Sequence, residues 1–335
     1  MAMMIKDGNS NWFAMHDMVD FDALTARLPL VTEKREKFSM PFGDMEMVRL
    51  YLNNIYIVYG DMRLHRQHLR MKVFDMPDMV ELHFSLRGTG LIDNFVDGRR
   101  YNFRPNEHNI FYMPELDVDA SYCNDETYRF FEVHFTSAHF ISLLANTNEK
   151  MQRFIDHVVN GRGANMAPGG LPISFAMRQC IQDIMSCPYT GGLKPIFLQA
   201  RCLELLILQA EAFAQQDTGY EKTVLKTGRD KDSIVHAYEY LLSHLSDPPS
   251  LQQLASIAGI NTFKLKKGFK ELYDNTVFGC LNEARLQQAR EQLLDGAQIK
   301  QLAEELGYSS VQHFSAAFRK KFGVPPGKAQ RPGRC

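Results

Sequence analysis

One motif occurs twice near the end of the chain. Residues 254–275 read LASIAGINTFKLKKGFKELYDN, and residues 302–323 read LAEELGYSSVQHFSAAFRKKFG. The copies align with an offset of 48 residues up to a shared glycine, Gly259 or Gly307, and with an offset of 49 residues after it. The second copy therefore has one extra residue after the glycine. Such a repeat predicts one supersecondary unit that the chain builds twice.

Each copy has the pattern of a helix-turn-helix. An alanine, Ala255 or Ala303, lies four residues before the glycine, where a second helix must approach closely. After the turn, apolar residues recur at helical spacing and predict one buried face. The predicted inward residues are Leu265, Phe269, Leu272 and Tyr273 in the first copy and Phe314, Phe318 and Phe322 in the second.

The other face of each second helix is basic or polar. We predict DNA contacts from the first unit, about residues 251–273, and from the second, about residues 299–322. The candidate residues are Phe263, Lys264, Lys266, Lys267 and Lys270, then Ser310, Gln312, His313, Ser315, Arg319 and Lys320. A single basic face is often only a solvated surface, and His313 alone also fits an exposed histidine without a partner. Two copies on one basic segment favour DNA.

Charge is distributed unevenly along the chain. Residues 247–335 carry 13 Lys and Arg against 8 Asp and Glu, a formal charge of +5, whereas the whole chain carries −1. A basic segment on an acidic body suggests a polyanionic partner. Between the copies, VFGCLNEARLQQAREQLL predicts an amphipathic helix. If this helix sets the two units about 34 Å apart, their second helices can enter successive major grooves.

These residues resemble a known family. Residues from about 233 to 331 are similar to the AraC/XylS-type DNA-binding domain, on the blocks LASIAGI, LKKGFKELY, ARLQQAREQLL, IKQLAEELGYSS and HFSAAFRKKFGVPP. The block KLKKGFKELYDNTVFGCLNEARLQQA resembles the siderophore-responsive branch, of the pyochelin-regulator kind. The resemblance implies base-reading positions at Phe263, Lys266, Lys267, Gln312, His313, Ser315 and Ala316.

Two positions depart from the family pattern. Many members have arginine where Ala316 stands, and an aromatic residue where Ala329 stands. Lysine or arginine can donate hydrogen bonds to guanine O6 and N7, which alanine cannot do. We therefore expect the second helix-turn-helix to bind DNA more weakly, or with less specificity, than the first helix-turn-helix.

The earlier part of the chain changes from β to α. Short apolar or alternating runs between about residues 45 and 136 predict a small barrel or sandwich, with a hairpin turn at Asp97-Gly98. Residues 137–216 have helical periodicity, and residues 216–232 read as a polar linker. The predicted fold is therefore α+β, and the resemblance implies that its N-terminal part is a cupin-like β-barrel with following helices. An all-α domain, residues 233–335, of two helix-turn-helix units joined by a long helix then follows.

The resemblance implies that residues 1–215 form a sensor and dimerisation domain. The long helix in KPIFLQARCLELLILQAEAFAQQ is apolar almost all round, including Leu205, Leu206 and Ile207. Such a helix either lies in a core or presents an apolar stripe to a second subunit, and both alternatives remain open.

Histidines in the β region do not form a familiar metal motif. His83, His108, His134 and His139 lie apart in the sequence, and there is no H-x-H pair. Isolated strand histidines are more often hydrogen-bonded groups than ligands, although Glu132 and His134 share a strand face that His83 could join across a barrel. We predict no metal, no cofactor and no catalytic residue. The alternative is a cupin-type metalloenzyme with an accessory helical domain.

The favoured function is a cytoplasmic transcription regulator that binds promoter DNA. Its expected partners are double-stranded DNA, RNA polymerase, a second copy of the chain and a small-molecule effector such as a ferric siderophore, without a membrane. Arg87, Arg99 and Tyr101 near the DGRRYNF hairpin are candidate anchors for an anionic or catecholate-like effector. A third reading is a ligand-independent regulator whose β-domain serves assembly.

Overall fold

The protein divides into two compact units, Met1–Gly219 and Tyr220–Cys335. In the computed structural model, the described residues are 2–7, 12–15, 19–25, 31–65, 68–122, 127–145, 147–215, 225, 228–273, 275–294 and 296–329. Most of the predicted linker, namely residues 216–224, 226 and 227, lies outside the described residues. Residues 228–232 already belong to a helix.

The first unit contains two antiparallel sheets. Its strands are β1 (Ala2–Asp7), β2 (Phe13–Met15), β3 (Thr32–Met40), β4 (Gly43–Leu52), β5 (Ile55–Leu64), β6 (His68–Phe74), β7 (Met79–Arg87), β8 (Gly90–Asn94), β9 (Arg100–Phe103), β10 (Glu107–Tyr112), β11 (Leu116–Tyr122), β12 (Thr127–Thr136), β13 (Ala164–Asn165) and β14 (Leu171–Pro172). The six-stranded sheet has the order β2-β1-β6-β11-β8-β9. The eight-stranded sheet has the order β13-β10-β7-β12-β5-β4-β3, with β14 beside β10.

The predicted closed barrel is not confirmed. Within the described residues, the hydrogen-bonded strand pairs build two separate sheets rather than one continuous ring. Bulky side chains from both sheets, such as Ile5, Met47 and Phe130, share one core. Side chains of this size hold two sheets about 10 Å apart, which is the geometry of a sandwich.

The eight-stranded sheet is buried on both faces. In β12, Tyr128 and Phe130 face the core shared with the six-stranded sheet. Phe131, Val133 and Phe135 face a second core, which is formed with the following helices. Two buried faces explain why YRFFEVHF reads as a nearly continuous apolar run rather than a simple alternation.

Helices cover the outer face of that sheet. They are α2 (Ser137–Leu144), α3 (Glu149–Val159), α4 (Phe175–Met185) and α5 (Leu193–Gln215), and a short α1 (Phe21–Thr25) precedes β3. The α5 helix meets the first prediction in part, because one of its faces lies in a core, and its prediction as a subunit interface stays open. Leu198, Leu205 and Leu206 are buried in the core, whereas Ile196 and Ile207 are exposed by 66% and 57%.

Strands also occur before residue 45, a region for which we made no prediction. The third strand, TEKREKFSM, lies at the edge of the eight-stranded sheet and alternates between exposed and half-buried side chains. It has almost no apolar face, so hydrophobic periodicity could not reveal it. Charged edge strands of this kind discourage pairing with other chains.

The second unit is helical throughout its described residues. Its helices are α6 (Gly228–Ser243), α7 (Leu251–Ile257), α8 (Thr262–Tyr273), α9 (Val277–Leu294), α10 (Ile299–Glu305), α11 (Val311–Phe322) and α12 (Pro326–Ala329). Cys280 and Leu281 of α9 pack in the core of the first helix-turn-helix. Leu286 and Leu293 of the same helix pack in the core of the second. The α9 helix therefore packs against both helix-turn-helix units and holds them at a fixed spacing, as the sequence predicted for the helix between the two repeats.

Candidate functional site

The two repeats fold into the same turn. Gly259 and Gly307 both have a left-handed backbone, with φ of 66° and 70°. The amide of the following residue donates to the carbonyl of Ala255 in one copy and of Ala303 in the other. This pattern closes both first helices in the same way and favours glycine. The extra residue then lengthens the second turn, because α8 begins three residues after its glycine and α11 begins four residues after.

The predicted inward residues are buried, except Phe322, which is half-buried at the end of α11. Leu265, Phe269 and Tyr273 of α8 are at most 1% exposed. Phe314 and Phe318 of α11 are fully buried and stack toward each other, with ring centroids 5.7 Å apart. Burying one face of each second helix leaves the opposite face open to solvent.

The exposed face of α8 carries four of the five predicted residues. Phe263, Lys266, Lys267 and Lys270 are all exposed, and the Phe263 side chain is 63% exposed. The four side chains, at spacings of three and four residues, form one face that a DNA groove can cover. We call it the α8 face.

Lys264 lies away from the α8 face. Its ammonium donates to Asp230 Oδ1 of α6 at 2.6 Å, and its side chain is only 29% exposed. Its backbone amide also donates to Asn261 Oδ1, which caps the helix. Lys264 thus forms an ion pair between α8 and α6, and its role as a DNA contact stays a prediction.

On α11, the predicted residues divide in a similar way. Gln312, His313, Arg319 and Lys320 are exposed, and Ser315 is half-buried. Ser310 caps the helix, because its hydroxyl accepts a hydrogen bond from the His313 amide at 3.1 Å. Ala316 is exposed between these residues, so the α11 face has a small side chain at its centre.

One arginine that the sequence did not single out connects the two helix-turn-helix units. Arg285 of α9 donates from Nε to the Leu245 carbonyl at 2.8 Å, in the segment before α7. Its guanidinium also lies against Gly307, where a β-carbon would come within 2.9 Å of Nη2. Arg285 therefore contacts both units. Its isolated position in an amphipathic helix gave no signal of this role.

A second candidate site is a cavity of about 270 Å³ between the two sheets of the first unit. Nine of the 17 methionines of the chain line it. Methionine side chains are flexible and polarisable, so a lining of this kind can adapt to an irregular ligand. One part of the wall is polar and consists of Glu81, His83, Glu132 and His134. We call these four side chains the ExH square.

The register of two neighbouring strands builds the ExH square. The sequences ELH in β7 and EVH in β12 each place a glutamate and a histidine on one face, two residues apart. Because the strands are antiparallel, Glu81 lies opposite His134 and His83 lies opposite Glu132. Three of these residues, Glu132, His134 and His83, were expected to be able to meet across a barrel, whereas Glu81 was not predicted. The two ExH triplets were the available signal, but only the register brings them together.

Hydrogen bonds connect the four side chains. His83 Nδ1 lies 2.8 Å from Glu81 Oε1 and 3.2 Å from Glu132 Oε1. His134 Nε2 lies 3.2 Å from Glu132 Oε2. Burial by itself would lower the pKa of His83, but the hydrogen bonds to Glu132 and Glu81 outweigh it and raise the pKa to about 9. Burial would raise the pKa of Glu132, but the two histidines hold it well below its usual range.

The predicted effector anchors do not lie together. Arg99 and Tyr101 line a separate open cleft of about 510 Å³, which also contains Lys150, Arg153 and His157. Arg87 is exposed at the end of β7 and does not line this cleft. Arg99 donates to the Gly163 carbonyl at 3.1 Å, and the Tyr101 hydroxyl donates to Asp97. Part of the hydrogen-bonding capacity of both anchors is therefore already used.

Among the described residues, none of the helices is long and apolar enough to span a membrane.

Comparison with known proteins identifies two domains. Residues 254–332 match the family described as a helix-turn-helix domain. Residues 42–223, more than half of the chain, match the family described as the regulatory protein PchR N-terminal domain. The first match covers both repeats, and the second covers most of the two sheets and the helices that follow them.

Curated relatives match over part of their length. The regulatory protein PchR of Pseudomonas aeruginosa is 34% identical over 134 residues, which span 38% of this chain and 45% of that protein. The xylose operon regulatory protein of Escherichia coli K12 is 26% identical over 95 residues, which span 28% of this chain and 24% of that protein. The chain thus spans less than half the length of these relatives.

Among solved structures, apo ToxT from Vibrio cholerae is 14% identical and covers 83% of this chain and 97% of its own, with a TM-score of 0.34. That TM-score is too low to carry information about shared geometry. The two domain matches are the informative finding, because together they account for both units. The chain belongs to the AraC/XylS-type family, in the branch that carries the regulatory protein PchR N-terminal domain.

Proposed function

We propose that this protein is a transcription regulator that binds promoter DNA through the α8 and α11 faces and responds to a small molecule in its first unit. The observation that carries the proposal is the duplicated helix-turn-helix with two exposed second helices. The relatives named above are regulators, which gives no support to the alternative of a metalloenzyme. We place the protein in the cytoplasm, with RNA polymerase as its partner at the promoter.

The proposal is tested by titrating the full chain against labelled duplexes from upstream of its own and neighbouring coding regions. Fluorescence anisotropy should show tighter binding to one of these duplexes than to a shuffled duplex of equal length. If about 6 to 10 phosphates are neutralised, affinity should fall by roughly 10³ to 10⁵ between about 50 and 200 mM salt. Equal affinity for every sequence, or no binding at low salt, would contradict the proposal.

We place the effector in the cavity between the sheets, within a cupin-like sensor domain. The cavity combines an apolar lining with a few convergent polar groups, which is the usual composition of a small-molecule site. The basic cleft at Arg99 is open and contains groups that are already hydrogen-bonded. A ferric siderophore is the effector class that the family branch suggests.

Two variants distinguish these sites. Val58→Phe adds volume to the cavity wall, and Arg99→Ala removes a cation from the cleft. DNA binding is measured for each with and without a panel of ferric siderophores. We expect Val58→Phe to abolish the ligand response while DNA binding persists. Loss of the response in Arg99→Ala alone would move the effector to the cleft, and no response in wild type would favour the ligand-independent regulator.

We propose that α5 also forms the dimer interface. Its outward stripe includes Ile196, Ala200 and Ile207, which are exposed at helical spacing beside the half-buried Leu203. A second copy of α5 can cover this stripe with the same residues, as twofold symmetry requires. Sedimentation of Ile207→Lys should give a monomer where wild type gives a dimer. A dimer in both proteins would remove α5 from the interface.

A further inference from the structure

The ExH square has the geometry of a metal-binding group. One ligand atom from each of Glu81, Glu132 and His134 lies within 4.8 Å of the others. Ligand atoms bound to one ion at about 2.1 Å lie roughly 3 to 4 Å apart. Small rotations of the two carboxylates are therefore enough to close the group around an ion. The three residues lie on two adjacent strands, which hold the side chains at fixed positions.

His83 occupies the position of an orienting residue behind these ligands. Its Nδ1 reaches both carboxylates, and its Nε2 lies 3.1 Å from Ser85 Oγ and 3.2 Å from the Tyr128 hydroxyl. Residues that hydrogen-bond the ligands of a metal site fix their orientation. Phe103 and Phe111 flank the His83 ring at centroid distances of 4.5 and 5.9 Å and restrict its rotation.

A purely structural role explains the square less well. Two carboxylates and two imidazoles in an apolar wall pay a large desolvation cost, and a buried ion-pair cluster is often no more stabilising than apolar residues of similar volume. The side chains of Glu81, Glu132 and His134 are only 18%, 19% and 18% exposed. The remaining access is through the cavity, which a ligand can enter.

We propose that Glu81, Glu132 and His134 bind a divalent first-row transition metal ion at the wall of the cavity, with His83 as a positioning residue. Two carboxylates balance the charge of a divalent ion, so the ion and its two carboxylate ligands are together neutral. Carboxylate and imidazole donors together suit manganese, iron, cobalt and zinc. Open coordination positions would face the methionine-lined space. The inference shares its cavity with the proposed effector site, but metal binding requires neither effector nor DNA.

The test uses the full chain, stripped of metal with a chelator and then titrated with Co²⁺ alone. Visible absorption reports the ligand field, and equilibrium dialysis with elemental analysis gives the stoichiometry for Co²⁺ and Zn²⁺. We expect one ion per chain. Glu132→Gln and His134→Gln should each abolish stoichiometric binding, and His83→Gln should weaken it by roughly 10- to 100-fold while the stoichiometry remains one.

Glu46→Gln is the matched control, because Glu46 is an exposed carboxylate on β4 that pairs with Lys37. It should bind metal as wild type does. Emission from Trp12, the only tryptophan, shows whether each variant is folded. Absence of stoichiometric metal in folded wild type, or wild-type affinity in folded Glu132→Gln or His134→Gln, would overturn the proposal. DNA titrations of the metal-free samples keep this outcome separate from the proposed function.

Discussion

At the scale of single residues, two lysines of α8 have different surroundings. Lys267 is exposed on the α8 face, whereas Lys264 is held by Asp230 and only partly exposed. An exposed ammonium can donate to a base edge or a phosphate without breaking an existing contact. The ion pair of Lys264 is partly screened by solvent, so we expect it to contribute little to the free energy of unfolding.

Replacing Lys267 with alanine should weaken DNA binding. If the ammonium reads a base, the loss is about 1 to 3 kcal/mol on the specific sequence and much less on shuffled DNA. Anisotropy titrations with both duplexes measure this difference. Lys37→Ala removes the same charge from an exposed lysine of the first unit and should leave both affinities unchanged. An equal loss on both duplexes would identify Lys267 as a phosphate contact.

Adding a cation at the centre of the α11 face should strengthen DNA binding. Ala316 is exposed on this face, so Ala316→Arg places a guanidinium there without filling a buried space. A new base or phosphate contact is worth on the order of 1 kcal/mol, or several-fold in affinity. Ala138→Arg, at an exposed position of α2 outside the proposed dimer interface, adds the same charge in the N-terminal unit as a control. Unchanged affinity in Ala316→Arg would mean that the second helix-turn-helix does not approach DNA at residue 316.

At the scale of elements, a buried histidine joins α5 to the eight-stranded sheet. His108 of β10 is 1% exposed, and its Nδ1 accepts a hydrogen bond from Gln209 Nε2 of α5 at 3.0 Å. The ring lies between Phe84 and Phe213 at centroid distances of 5.8 and 5.4 Å. Burial lowers the pKa of His108 to about 3. Between about pH 3 and 6.5, the imidazole is therefore neutral in the folded protein but protonated in the unfolded chain.

The first unit should lose stability in mild acid because of this histidine. The unfolded value is about 6.5, so the contribution of neutral His108 is complete above that pH and is lost as the pH falls toward 3. The slope from one group is at most about 1.4 kcal/mol per pH unit. Urea unfolding followed by Trp12 emission measures it between pH 7 and 5. His108→Gln should flatten the slope, whereas His68→Gln, at an exposed site, should not. An unchanged slope in His108→Gln would show that other groups govern the acid response.

At the scale of the whole molecule, the two units have separate cores. The second unit packs one core around Phe269 and another around Phe318, and α9 contributes to both. Among the described residues, all the buried side chains of these two cores belong to the second unit. Separate cores are compatible with the proposed function, in which one unit binds DNA and the other responds to the effector.

A fragment of residues 220–335 should fold and bind DNA by itself. We expect cooperative unfolding by circular dichroism and recognition of the same sequence as the full chain, at lower affinity. In the proposed dimer, two linked DNA-binding domains bind two half-sites at a high effective concentration, and a monomeric fragment loses this gain. A matched fragment with Lys267→Ala is the control for specific binding. A folded fragment without affinity for DNA would contradict the assignment of the α8 and α11 faces.

The sequence alone determined the second unit in detail. Helical periodicity, two alanine and glycine pairs and one extra residue predicted both turns and the inward residues. Burial of residues such as Phe269 and Phe314 confirms this prediction for all of them except the half-buried Phe322. These features are local, because helices and turns depend on residues within a few positions of one another. Family membership followed from the same short-range pattern.

Contacts between residues far apart in the chain account for the remaining features. The sandwich, the edge strand β3, the ExH square and the Arg285 contacts all depend on pairings between residues far apart in the chain. Strand register decides whether His83 meets Glu132, and a shift of one residue would turn the side chains to the opposite face. The sequence gives each strand its alternation of faces. The partner opposite each residue is set by how the sheets pack.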